Sequence, residues 1–104
     1  MKSPARLDDR VIEAWTTAHP QWAVEESHLV RYVKTSDYPS GARLLLAQVA
    51  LAEGLDHHPD VMFSYRRLRF ELWTHDRDGL TQLDLDYAEG LDSIIAKDFG
   101  DFVR

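Results

Sequence analysis

The chain has no cysteine, which excludes disulfides and thiolate metal sites and removes any pointer to an oxidising compartment. It has only five glycines and four prolines, too few and too scattered for a linker or a low-complexity segment, and no internal repeat stands out. No apolar run approaches membrane-spanning length, and Met1-Lys2-Ser3-Pro4-Ala5-Arg6 lacks the apolar stretch of a signal peptide, so the cytoplasm is the expected location. Positive charge is also short. Twelve Lys and Arg stand against eighteen Asp and Glu, a net charge of −6, which argues against a nucleic-acid-binding surface. The one basic run, Arg66-Arg67-Leu68-Arg69, reads as a solvated hairpin tip.

What remains is ordinary globular material. With 44% hydrophobic and 29% charged residues in 104, a single domain over 1–104 with a modest core is expected. A helix is expected from about Leu7 to Ala18, with Leu7, Val11, Ala14, Trp15 and Ala18 on one stripe, ended by His19-Pro20. Trp22–Glu25 and Leu29–Thr35 read as strands joined by a turn at Glu26-Ser27. Asp37 can cap a helix that tolerates Pro39 in its first turn, runs to about Glu53 and stops in a left-handed Gly54. Val61–Tyr65 and the alternating stretch around Leu68, Phe70 and Leu72 are strands, Asp78-Gly79 is a turn, and Thr81 with Asp84 resembles a capping box. A last helix carries Leu83, Tyr87, Leu91, Ile94 and Ile95 on one face. The order α-β-β-α-β-β-α implies an α+β two-layer fold: a four-stranded antiparallel sheet with helices packed on one face.

Chemistry-bearing residues gather between residues 53 and 84: Glu53, Asp56, His57-His58-Pro59, Tyr65, His75 and Asp84. Proline pushes the preceding residue to an extended conformation, so the His57-His58 pair lies at a helix-to-strand junction. A two-residue turn at Arg66-Arg67 would pair Tyr65 with Leu68 and set His58 opposite His75, roughly 5 Å apart at Cβ. Glu53 and His57 arrive at the same end from the preceding helix, so Glu53, His57, His58 and His75 should surround one pocket. Three readings fit. The histidines bind a metal, although adjacent histidines diverge and the i, i+4 spacing of helical zinc ligands is absent. They satisfy local backbone groups. Or they perform acid–base chemistry, for which histidine needs no cofactor.

These residues resemble the signature of the pterin-4a-carbinolamine dehydratase (4a-hydroxytetrahydrobiopterin dehydratase) family. Glu53, His57-His58-Pro59, Tyr65, His75 and Asp84 fall at its spacings, and Leu51-Ala52-Glu53, Thr74-His75, Gly79-Leu80-Thr81 and Ala88 with Asp92 look like its flanking pattern. The resemblance is strongest from about residue 42 to 95. It implies an α+β fold and the cofactor-free, metal-free dehydration of a 4a-hydroxytetrahydropterin, the by-product of aromatic amino acid hydroxylases, in support of tetrahydropterin recycling. It also implies that His57 and His75 transfer protons and that His58 holds the pterin. Glu53 and Asp56 would orient imidazoles or bind polar pterin edges, and Trp22 would supply an aromatic wall. Asp84 matches the motif, with helix capping as its expected role. Departures from the family pattern include Val61, which implies a smaller pocket side, and Val33 and Thr35 in place of phenylalanines.

Some members of the family resemble partners of transcription factors or assembly factors, so a non-catalytic binding module of the same fold is the alternative. The three retained histidines favour catalysis. Leu44-Leu45-Leu46 point in three directions on one helix and sheet edges are open, so a homo-oligomer, a dimer or tetramer, is expected.

Overall fold

The computed structural model describes residues 3–100. Helix α1 (Asp9–Ala18) is followed by β1 (Trp22–Glu25), β2 (His28–Lys34), α2 (Tyr38–Ala47), α3 (Val49–Leu55), β3 (Asp60–Ser64), β4 (Arg67–Leu72), a 3₁₀ turn (His75–Arg77) and α4 (Gln82–Asp98). The four strands form one antiparallel sheet in the order β1-β2-β4-β3. This is the expected α+β architecture, with the middle helix broken in two.

Local chemistry explains most of these elements. The Asp8 carboxylate accepts from the Arg10 amide at 2.7 Å to start α1, and Asp37 accepts from the Ser40 amide at 2.8 Å to start α2 with Pro39 in its first turn. Glu26 and Ser27 both adopt left-handed backbone (φ 51° and 67°), the two-residue turn suited to the twist of a hairpin. The α1 stripe differs from expectation. Leu7, Ile12 and Trp15 pack against the core while Val11 is exposed, because Trp15 turns inward to meet Trp22 and donates to Glu89 of α4 at 2.8 Å.

The expected single helix to Glu53 is interrupted at Gln48. That side chain is buried and its Oε1 accepts from the Tyr87 hydroxyl of α4 at 2.7 Å, a partner 39 residues away. The left-handed stop also moves. It is Asp56 (φ 48°), not Gly54, which lies inside α3.

The β3–β4 register is the second correction. The turn is Tyr65-Arg66, one residue earlier than expected, so Ser64 pairs with Arg67, Phe63 with Leu68 and Val61 with Phe70. Both registers keep Val61, Phe63, Leu68 and Phe70 on the same face, so hydrophobic alternation cannot separate them. The tie is broken by β2: the Arg66 carbonyl accepts from the Thr35 amide at 2.8 Å, and the Arg66 guanidinium donates to the Ser36 carbonyl at 3.1 Å. In consequence His75 is not directly opposite His58. Strand β4 ends at Leu72, Thr74 bridges to Gly79, and His75 opens the 3₁₀ turn.

The core lies between the sheet and the helices. Leu29, Val33, Leu68, Phe70 and Leu72 meet Leu44, Ala52, Leu85, Tyr87, Ala88, Leu91 and Ile95, all nearly or fully buried. Each buried Val, Leu, Ile or Phe among them contributes about 1.5–3 kcal/mol on leaving water, and the two alanines less. A Cβ at Gly41 would come within 2.7 Å of the Phe63 ring, so a larger residue there would force that ring or α2 to shift. Among the described residues no helix covers the sheet's other face. That face presents His28, Tyr32, Met62, Arg69 and Glu71, with Tyr32 62% and Met62 65% exposed. Among the described residues no helix is long and apolar enough to cross a membrane.

Candidate active site

The end of α3 delivers the first histidine. The left-handed Asp56 lets the His57 amide reach back to the Ala52 carbonyl at 3.0 Å while the Asp56 amide bonds to Glu53 at 3.2 Å, a Schellman-type closure. Aspartate is among the few non-glycine residues that visit this conformation readily. The turn directs His57 against the first turn of α4. Its Nε2 lies 2.6 Å from Asp84 Oδ1, with the His57 side chain 10% accessible and Asp84 fully buried.

Asp84 is where the site and the fold meet. Its Oδ2 accepts from the Thr81 amide at 2.9 Å and from Thr74 Oγ1 at 2.8 Å, and the Thr81 side chain accepts in return from the Leu83 amide. The expected capping box is present. Beyond capping, the same carboxylate holds His57. With two hydrogens already directed at Oδ2, we assign the His57 hydrogen to Nε2, donating to Oδ1, which leaves Nδ1 for proton exchange. Thr74 immediately precedes His75, so the two histidines are joined through one carboxylate and one peptide unit.

His75 itself is exposed at the start of the 3₁₀ turn. Its ring stacks on Trp73, centroids 4.3 Å apart and 9° from parallel. The turn is clasped by the chain's first described residues. Ser3 Oγ donates to Asp76 at 2.7 Å, Arg77 donates to the Ser3 carbonyl at 2.7 Å, and the Leu7 amide donates to the Leu80 carbonyl at 2.8 Å. The hydrogen bonds from Ser3 hold the Asp76 carboxyl below the usual carboxylate range.

His58 points to solvent. Its Nε2 is 2.5 Å from Glu53 Oε2, with the two side chains 54% and 70% accessible, so the pair adds little stability. Asp56 is exposed beside them. Thus His57, His58, Glu53 and Asp56 share the α3–β3 junction, with His75 reached through Thr74. Trp22 does not join them. It is 3% exposed on the edge strand β1, in the row Trp22, Arg31, Phe70, Val61, which places it three strand spacings from β3, about 14 Å. Its Nε1 donates to Asp92 at 2.9 Å, and Arg31 grips the same carboxylate. Trp22 instead lines a cavity of about 970 Å³ between α1 and β1, with Leu7, Ile12, Thr16 and Leu80. Among the described residues no group of three His, Asp or Glu side chains is placed to hold a metal ion.

Two features escaped the sequence reading: the Asp84–His57 bond and the stack around Trp73. A capping carboxylate 27 residues from a histidine carries no local signal. The stack needs the β2–β4 pairing, which brings His28 beside Trp73.

Known proteins share this arrangement of chain. Residues 5–94 match the family model described as pterin 4 alpha carbinolamine dehydratase. A Metallosphaera sedula protein provisionally named as a pterin-4-alpha-carbinolamine dehydratase is 41% identical over 89 residues, 86% of this chain and 93% of its own length. A Chloroflexus aurantiacus protein with the same provisional name is 33% identical over 90 residues, covering 86% and 97%. The crystal structure of a transcriptional coactivator/pterin dehydratase from Brucella melitensis matches with a TM-score of 0.81 at 27% identity, covering 86% of this chain and 97% of that one. By the family model and by these relatives, the chain belongs to the pterin 4 alpha carbinolamine dehydratase family.

Proposed function

We propose that this protein dehydrates a 4a-hydroxytetrahydropterin to the quinonoid dihydropterin by histidine acid–base chemistry. The observation that carries the reading is His57 held through Nε2 by the buried Asp84, with His75 attached to Thr74, a second donor to that carboxylate. In the reaction the C4a–O bond breaks and the hydroxyl leaves as water, taking a proton from an acid. The N5–H bond also breaks, its electron pair forming the C4a=N5 double bond and its proton passing to a base. One proton is given and one received, so the protein's proton count is unchanged, and exchange of one proton between the two groups or with solvent resets the pair without cofactor or metal. His57 and His75 are the proton-transfer pair, each worth about 10²–10⁴-fold in rate. His58, oriented by Glu53, holds the pterin, and Asp56 meets its polar edge. Trp22 enters only as a structural residue, given its distance from the α3–β3 junction. The reading carries with it a cytoplasmic setting, a functional link to an aromatic amino acid hydroxylase, and a role in tetrahydropterin recycling.

The test is stopped-flow dehydration of the carbinolamine, run with a chelator present, on the wild-type protein and His57→Ala. Turnover in chelator that falls at least about tenfold in the variant supports the assignment. Turnover that needs added zinc would replace it with a metal mechanism.

A second reading is favoured by one observation. Leu46 is 73% exposed, Val49 47% and Tyr38 55%, three large apolar side chains left open on α2 and α3. A protein-binding or assembly role would use them, and the Brucella melitensis relative is named as a coactivator as well as a dehydratase. Burial against a further copy, giving a homo-oligomer, is our reading of this surface.

A further inference from the structure

We propose that Trp73, clamped between His28 and His75, positions the His75 imidazole for the dehydration, with Glu71 anchoring the clamp from beneath. The proposal rests on the function assigned above. Leu72 faces the helices, so alternation sends Trp73 to the helix-free face. Leu29 pairs with Leu72, which brings the preceding His28 of β2 beside Trp73. The His28 and Trp73 rings stack at 3.9 Å, 2° from parallel, and His75 covers the opposite face of the indole at 4.3 Å. Three flat rings lie in one column.

The column has a fixed base and a free top. His28 Nδ1 is 2.5 Å from Glu71 Oε2, Glu71 Oε1 accepts from Arg69 at 2.7 Å, and Arg69 Nε donates to the Tyr32 hydroxyl at 3.2 Å. Hydrogen bonds from His28 and then Arg69 hold the Glu71 carboxyl below its ordinary range. His75, at the top, is exposed and sits on a short turn. An exposed imidazole samples three staggered χ1 wells and a broad χ2, so holding it in one well raises the competent fraction by about three- to tenfold. Stacking supplies that hold.

The geometry also says what Trp73 does not do. Both faces of the indole are occupied, so it is not a free platform for a pterin ring. It is a positioning residue, as are His28 and Glu71.

The experiment compares Trp73→Ala, Trp73→Phe, His28→Ala and Glu71→Gln with wild type. It measures kcat and KM by stopped flow, Tm by circular dichroism, and the His75 imidazole proton shifts by NMR. In the wild-type protein the His75 ring protons should be shifted upfield by the indole ring current, and in Trp73→Ala that shift should vanish. Folded Trp73→Ala should lose about three- to tenfold in kcat with KM changed less than twofold, and Trp73→Phe, which restores a flat ring, should recover at least half of the lost rate. His28→Ala and Glu71→Gln should give smaller kcat losses in the same direction. Unchanged kcat in folded Trp73→Ala, or a loss confined to KM, overturns the clamp. If wild-type protein fails to dehydrate the carbinolamine, the assigned reaction falls. The ring-current shift then decides the clamp alone, and His75 protons at free-imidazole positions refute it.

Discussion

Replacing Asp84 by asparagine tests the link between fold and chemistry most sharply. The amide is nearly isosteric with the carboxylate but brings two hydrogens. Its oxygen must stay where Oδ2 is, to keep the Thr81 amide and Thr74 hydroxyl bonds. The NH₂ then faces His57 Nε2 across the present 2.6 Å contact. Two donors cannot share that contact, so the imidazole must move its hydrogen to Nδ1, the nitrogen needed for proton exchange. The charge-assisted bonds also weaken, from about 1.5–3 kcal/mol to about 0.5–1.5 kcal/mol each. With the two bonds to Oδ2 weakened and the third remade in the wrong tautomer, a net loss of about 2–4 kcal/mol follows, or roughly 10–20 °C in Tm for a domain of this size. If His57 has its proposed role, the rate should fall by about 10²–10⁴, because the acid–base group is disabled rather than displaced. Alanine at the same position removes the cap as well and should cost about 3–5 kcal/mol. The assay is stopped-flow dehydration at a temperature well below both melting points, with circular dichroism to confirm folding. A folded Asp84→Asn protein that turns over like wild type refutes the claim that Asp84 sets the His57 tautomer.

Other outcomes can be checked separately. His75→Ala should lower kcat at least about tenfold with Tm nearly unchanged, because the ring is exposed; equal turnover removes it from the acid–base pair. His58→Ala should raise KM and spare kcat, and a loss confined to the chemical step would contradict a pterin-holding role. Asp37, Glu71 and Asp76 all have carboxyls depressed by hydrogen bonds, from Ser40, from His28 and Arg69, and from Ser3. Their stabilisation is complete above the unfolded carboxylate value of about 4 and is lost as pH falls through the lower folded values. Tm should therefore hold from pH 7 to about 5 and drop below 4, and a Tm that rises in acid would contradict the sign. Leu46→Asp, on the 73% exposed apolar position of α2, should shift light-scattering mass toward the 12.0 kDa monomer, whereas a wild-type protein already at that mass rules out the oligomer.

The parts of the fold that were legible in sequence are those set by neighbours in the chain. Asp37, Glu26-Ser27 and Thr81 with Asp84 act within three residues, and each forms as read. What was not legible depends on distant partners. The Gln48 break answers to Tyr87, and the Tyr65-Arg66 turn answers to Thr35 and Ser36 of another strand. The site divides the same way. The α3–β3 junction follows from proline and a helix end, so Glu53, Asp56, His57 and His58 could be grouped in advance. Trp22 could not be placed, because its distance from them is set by strand order, and the His28–Trp73–His75 column required a cross-strand pairing that no local pattern announces.

Asp84 has a consequence for how diverged copies of this fold should be interpreted. A descendant that lost its chemistry would still have to start α4 and still have to occupy the donors of Thr74 and Thr81, so selection for a folded protein alone would retain the aspartate. Among the described residues the His57 imidazole makes its side-chain hydrogen bond to that carboxylate and starts no helix of its own. Aspartate at this position therefore marks inheritance of the architecture, while the histidine facing it would mark inheritance of the proposed reaction. A lineage keeping the first and losing the second would be one in which the scaffold has outlived the enzyme.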